Sequence, residues 1–78
     1  MNQFFIRLSS VSEVEAFVAI ATSRDFRVLA SDGRQTINGK SFMQMFCLQL
    51  TEPLTITAEC SGEQFDLFRE EVSRLLAL

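Results

Sequence analysis

The sequence predicts an α+β fold of order β-α-β-β-α-β-α: an open-faced sandwich with a four-stranded antiparallel sheet and three helices on one face. Three observations predict it. Apolar residues recur at helical spacing from Val11 and again from Phe65. "LTITAEC" alternates Leu54, Ile56 and Ala58 with Thr55, Thr57 and Glu59, the period of a half-buried strand. Asp32-Gly33 and Asn38-Gly39 bracket a β-prone piece between them, which marks paired strands rather than a helix. Helices that each carry one apolar stripe need a common surface, and an antiparallel sheet supplies it.

The elements follow in order. "QFFIRLSS" is a short β-prone run ended by serines, an N-terminal strand. From Val11, the positions Val11, Val14, Phe17, Val18 and Ala21 form the core stripe of a helix of about three turns. Ser10 and Glu13 fit S-x-x-E, a capping box in which serine accepts from one free amide and glutamate returns to another. Phe26 to Ala30 and Gln35 to Ile37 are two strands joined at Asp32-Gly33, a pair that supplies the positive φ angles of a tight hairpin. Ser41 caps a short apolar helix of about two turns ending near Leu50, and Glu52-Pro53 breaks it. Leu54 to Glu59 is the last strand. After Ser61-Gly62, the positions Phe65, Phe68, Val72 and Leu75 make the longest helix, with Glu and Arg on its other face.

Seventy-eight residues allow one domain, 1–78, and one core, because a chain this short buries only about 60% of its unfolded surface. Eight Phe and 47% hydrophobic residues exclude a disordered polar chain. Seven Lys/Arg against ten Asp/Glu, with no basic stripe and no Tyr or Trp, argue against nucleic acid. No apolar run is long enough to span a bilayer, and the first residues lack a secretory cleavage pattern, so no membrane partner is expected. Cys47 and Cys60 stand alone and are expected as reduced, buried thiols of a cytoplasmic protein.

Histidine is absent. Zinc sites and His-based triads go with it, two separated Cys cannot close a metal site, and no nucleophile has a candidate base. The chain is expected to need no metal or cofactor and to be no independent enzyme.

"INGKSFMQMFCLQL", Ile37 to Leu50, resembles the centre of HPr, the phosphocarrier of the bacterial sugar phosphotransferase system. It has the same second hairpin strand, Asn-Gly turn, Lys-Ser and short Met-bearing helix ending in Leu-x-Leu. "EAFVAIA" is similar to the first helix of that family, and "LTITAECSGEQ" to its last strand and the start of its last helix. The resemblance covers nearly the whole chain.

The resemblance implies a phosphorylatable His at the start of the first helix, followed by Arg and Pro. Those positions fall at Ser10, Ser12 and Glu13, and all three differ. A phosphoryl group needs positive charge and open helix amides, whereas Glu13 and Glu15 bring carboxylates. The expectation is therefore a relative without a catalytic residue. Ser41 matches a serine that a regulatory kinase modifies in many members, and Phe42, Met43 and Phe46 match apolar positions that dock on partner proteins. Those residues give the implied role: a regulatory or docking module in sugar transport, with protein partners from the phosphotransferase system or its regulation. A homodimer contact is the other use of the same surface. Two further readings stand beside this one: a small-molecule-sensing domain of related split βαβ topology, and a phosphocarrier using a residue other than His.

Overall fold

The structure, a computed structural model, describes residues 2–76. Its elements are β1 (Asn2–Ile6), α1 (Val11–Thr22), β2 (Val28–Ser31), β3 (Thr36–Asn38), α2 (Phe42–Met45), β4 (Leu54–Ala58) and α3 (Glu63–Leu76). They follow the expected order. The sheet runs β1-β4-β2-β3 with every neighbouring pair antiparallel.

Register sorts the strand side chains onto two faces. Ile56 pairs with Phe4 on one side and Ala30 on the other, and Ala30 pairs with Ile37, so all four face the helices. Phe4, Ile6, Val28, Ala30, Leu54, Ile56 and Ala58 are buried there. The opposite face carries Gln3, Phe5, Leu29, Ser31, Thr55 and Thr57, none of them buried.

The helices close this layer with Val14, Phe17, Val18 and Ala21 from α1, Met45 from α2, and Phe68 and Val72 from α3. Phe68 is the hub. Its fully buried ring lies 5.7 Å from Phe4, 6.5 Å from Phe17 and 5.5 Å from Phe26, with the Phe4 and Phe26 contacts edge-on. Such pairs add about 0.5–1.5 kcal/mol each beyond area burial.

Several local expectations are corrected. Phe26 lies outside β2, because its ring turns inward against Phe68. The β2–β3 connection uses four residues, and only Gly33 takes a positive φ, of 93°. Asp32 instead organises the turn through its carboxylate, as an Asx turn. Its Oδ1 accepts from the amides of Arg34 (2.9 Å) and Gln35 (3.1 Å).

Helix α2 is a single turn rather than two. After Met45 the amides reach back three residues, Phe46 to Met43, Cys47 to Gln44 and Leu48 to Met45, which tightens the chain and turns Leu48 into the core. That tightening leaves Cys47 exposed, and Cys60 is only half-buried; both are free thiols as expected, but neither is buried as expected. Val11, expected in the core stripe, is 57% exposed, because the first helical residue projects past the rest of the buried stripe.

Candidate functional site

The start of α1 is built by three hydrogen bonds. Ser10 is the N-cap in extended conformation, and its Oγ accepts from the Glu13 amide at 3.2 Å. Glu13 Oε1 in turn accepts from the Ser9 amide at 2.7 Å and the Ser9 hydroxyl at 3.0 Å. The capping box is reciprocal, with its return arm on Ser9 rather than Ser10. Ser10 and Ser12 are exposed and Glu13 half-buried. A carboxylate thus sits at the positive end of the α1 dipole, on the hydroxyl-rich turn.

Ser41 is the N-cap of α2, with its Oγ accepting from the Gln44 amide at 3.2 Å. The neighbouring Lys40 is not a free cation beside it. Its Nζ donates to the Arg24 carbonyl at 2.6 Å, and its amide donates to Asn38 Oδ1 at 2.9 Å. Gly39 makes the close approach that seats this turn. Its amide donates to the Val28 carbonyl at 2.8 Å, and a Cβ there would lie 2.9 Å from Val28 Cγ1.

Past Ser41, α2 exposes Phe42 (37%), Met43 (78%) and Phe46 (44%), while Met45 is fully buried. Phe42 and Phe46 stack edge-to-face at 5.0 Å. One turn of helix therefore buries a single side chain and presents three large apolar ones.

The fold joins two of the candidate regions. Ser10, Val11, Phe46, Leu50 and Arg7 line one groove of ≈ 480 Å³ between the start of α1 and the segment after α2. Arg7 Nη1 donates to the Thr51 carbonyl at 3.3 Å across one end. Ser41 does not line this groove. Val11 is the groove residue that the helical spacing assigns to the core, whereas Leu50 is half-buried against the core with one side on the groove. The one sequence signal for Val11 is the cap at Ser10, which makes it the first helical residue.

The segment that follows α2 is held by the β2–β3 turn. Asp32 Oδ2 accepts from the Gln49 amide at 2.8 Å, and Gln35 Nε2 donates to the Cys47 carbonyl. The Gln49 amide, then those of Arg34 and Gln35, hold the Asp32 carboxyl below its ordinary range. Burial pushes the Cys60 thiol up. Among the described residues no cluster of His, Cys, Asp or Glu could hold a metal, and no helix is long and apolar enough to cross a membrane.

No family model and no curated protein matches this sequence. Solved structures do match. All of the chain superposes on 98% of HPr-C-His from Thermoanaerobacter tengcongensis, with a TM-score of 0.78 at 15% identity. Its likeness to the phosphocarrier protein HPr from Bacillus anthracis str. Ames covers 96% of this chain and 95% of that one, with a TM-score of 0.73 at 20% identity. At such identities the likeness is one of fold: this chain has the fold of the HPr phosphocarrier proteins.

Proposed function

We propose that this chain is an HPr-like protein of the phosphotransferase system that carries no phosphate on its first helix and acts as a regulatory or protein-docking module. The observation that carries the reading is the Ser9–Ser10–Glu13 network. The Ser10 hydroxyl is occupied as a cap acceptor, and the adjacent carboxylate would repel a phosphoryl group where the resemblance implies a phosphohistidine. A serine phosphate there would also be too stable an ester to pass on.

Docking falls to the apolar surface formed by Phe42, Met43 and Phe46 and continued by Val11 across the groove. Met and Phe on one exposed turn suit an adaptable protein contact, and three such residues exceed what one buried stripe requires. Ser41 is the regulatory candidate. A phosphate on it would replace a neutral acceptor of the Gln44 amide with a doubly charged one, directly beside Phe42.

Affinity capture from the source cell, comparing wild type with Phe46→Glu at equal folded concentration, tests the docking reading. Loss of the same partner in the variant is the expected result. An unchanged partner set would remove α2 from the account. Incubation with an HPr serine kinase and intact-mass measurement tests Ser41, and absence of an added phosphate would remove that regulation.

A further inference from the structure

The β3 end of the sheet carries a second, polar pocket. It has a volume of ≈ 470 Å³ and lies between the approach to β2, the three residues of β3 and Gln44 of α2. That volume falls within the range of about 300–1,000 Å³ usual for small-molecule sites. None of Val11, Phe42, Met43 and Phe46 lines it, so it is separate from the apolar docking surface.

Two carboxamides of the pocket are held with their donors free. Asn38 Oδ1 accepts from the Lys40 amide at 2.9 Å, and Gln44 Oε1 accepts from the Asn38 amide at 3.0 Å. A backbone donor on each oxygen fixes which end of the carboxamide is the NH2 group, and among the described residues neither Asn38 Nδ2 nor Gln44 Nε2 has a partner. Arg27 adds a guanidinium whose nearest carboxylate, Glu59, stands at 3.7 Å, beyond hydrogen-bond reach. Lys40 also lines the pocket, but its Nζ is spent on the Arg24 carbonyl. The pocket holds one carboxylate, Asp25, which is exposed and enters none of the ion pairs among the described residues. Half-buried Leu29 and Ile37 supply its apolar wall.

We infer that this pocket binds a free α-amino acid with an apolar side chain. Charge selects a zwitterion, because a net anion is opposed by Asp25 and a net cation by Arg27, whereas a molecule carrying both charges satisfies each. The donor and acceptor inventory selects an amino acid over a neutral polyol. Three donor groups against one carboxylate match a ligand carboxylate and a single ammonium, while every hydroxyl of a polyol also asks for an acceptor. The α-carboxylate takes Asn38 Nδ2, Gln44 Nε2 and Arg27, the ammonium takes Asp25, and the side chain lies against Leu29 and Ile37.

The two carboxamides are already fixed by their own hydrogen bonds, so little ordering opposes binding. The polar groups stand open to water, which holds the Kd to about 0.1–10 mM. Gln44 also donates its backbone amide to Ser41 Oγ, so binding is felt at the turn that caps α2. The inference goes beyond the docking reading and does not depend on it.

Titration of the isotope-labelled full chain with L-leucine, L-valine and L-phenylalanine to about 50 mM tests it, followed by NMR at the side-chain NH2 signals of Asn38 and Gln44. Isopentylamine, isocaproate and D-glucose are the amine, acid and polyol controls. The expected result is a saturable shift of both signals with at least one of the amino acids, and binding weaker by about tenfold or more for all three controls. Gln44→Glu keeps an oxygen for the Asn38 amide while removing the donor, and Asp25→Asn removes the charge that holds the ammonium. Each should weaken amino-acid binding by about tenfold or more, with circular dichroism confirming the fold. No saturable shift with any of the three amino acids, equal binding of the amine, the acid or the polyol, or unchanged binding in either folded variant overturns the inference.

Discussion

Replacing Ser10 by Ala removes one acceptor and leaves the Glu13 amide without a partner at the start of α1. Loss of a serine cap costs about 1 kcal/mol, within a range of about 0.5–2. A chain of 78 residues has a total stability of about 4–12 kcal/mol, so the loss is a measurable fraction of it. For a domain this size it corresponds to a fall in Tm of about 4–8 °C. Glu13→Gln keeps an acceptor but removes the charge from the bonds to Ser9, and costs less, about 0.5 kcal/mol. The two changes share one turn, so the double variant should cost less or more than their sum by about 0.5 kcal/mol or greater. Urea denaturation of the four proteins, with unchanged m-values, measures each step. If Ser10→Ala left stability within about 0.3 kcal/mol of wild type, the hydroxyl would not be spent on capping, and the reasoning that takes it out of chemistry would fail.

Other perturbations reach the framework around the site. Gly39→Ala drives a methyl to 2.9 Å from Val28 Cγ1 and should destabilise by about 1–3 kcal/mol in thermal unfolding; a neutral result would mean that the close approach of Gly39 to Val28 does not fix the Lys40-Ser41 turn. Asp32 has a folded pKa below its unfolded value, so its contribution is fully present above the unfolded range near 3.9 and is lost as pH falls through the folded value. Asp32→Ala should therefore lower stability at neutral pH and flatten the acid limb of the stability profile, as read by urea midpoints from about pH 2 to 7. Met43→Lys, at a position 78% exposed, should change stability by no more than about 0.5 kcal/mol. Iodoacetamide should modify exposed Cys47 before Cys60, whose thiol is half-buried with a raised pKa, as peptide mapping would show.

The parts of this molecule legible in its sequence are those fixed by local periodicity. α1 and α3 are visible because Val14, Phe17, Val18, Phe68 and Val72 recur at helical spacing and are buried at it. β4 is visible because its alternation is strict. α2 is overextended because "FCLQL" is as apolar as a helix core, while its shape is set from outside by the Asp32 carboxylate and the Gln35 side chain reaching Gln49 and Cys47. Those tethers come from a turn more than ten residues earlier, and no local pattern announces them. Val11 belongs to the stripe by spacing alone. Its exposure depends on how far α1 overhangs the sheet, a tertiary fact that creates the groove with Phe46, thirty-five positions away. Ser10 and Glu13 were legible because a capping box is local, whereas the diversion of its return arm to Ser9 is a detail of side-chain geometry.

The central claim is that the start of α1 is a helix cap and not a phosphate carrier. The most direct measurement is incubation of the chain with phosphoenolpyruvate and the upstream phosphotransferase, with an active HPr as a positive control, followed by intact-mass analysis before and after mild acid. The account predicts phosphate on the control and no added mass on this chain. Acid-labile phosphate on this chain, or phosphate mapped to Ser10 or Ser12 that passes on to a downstream acceptor, would contradict it.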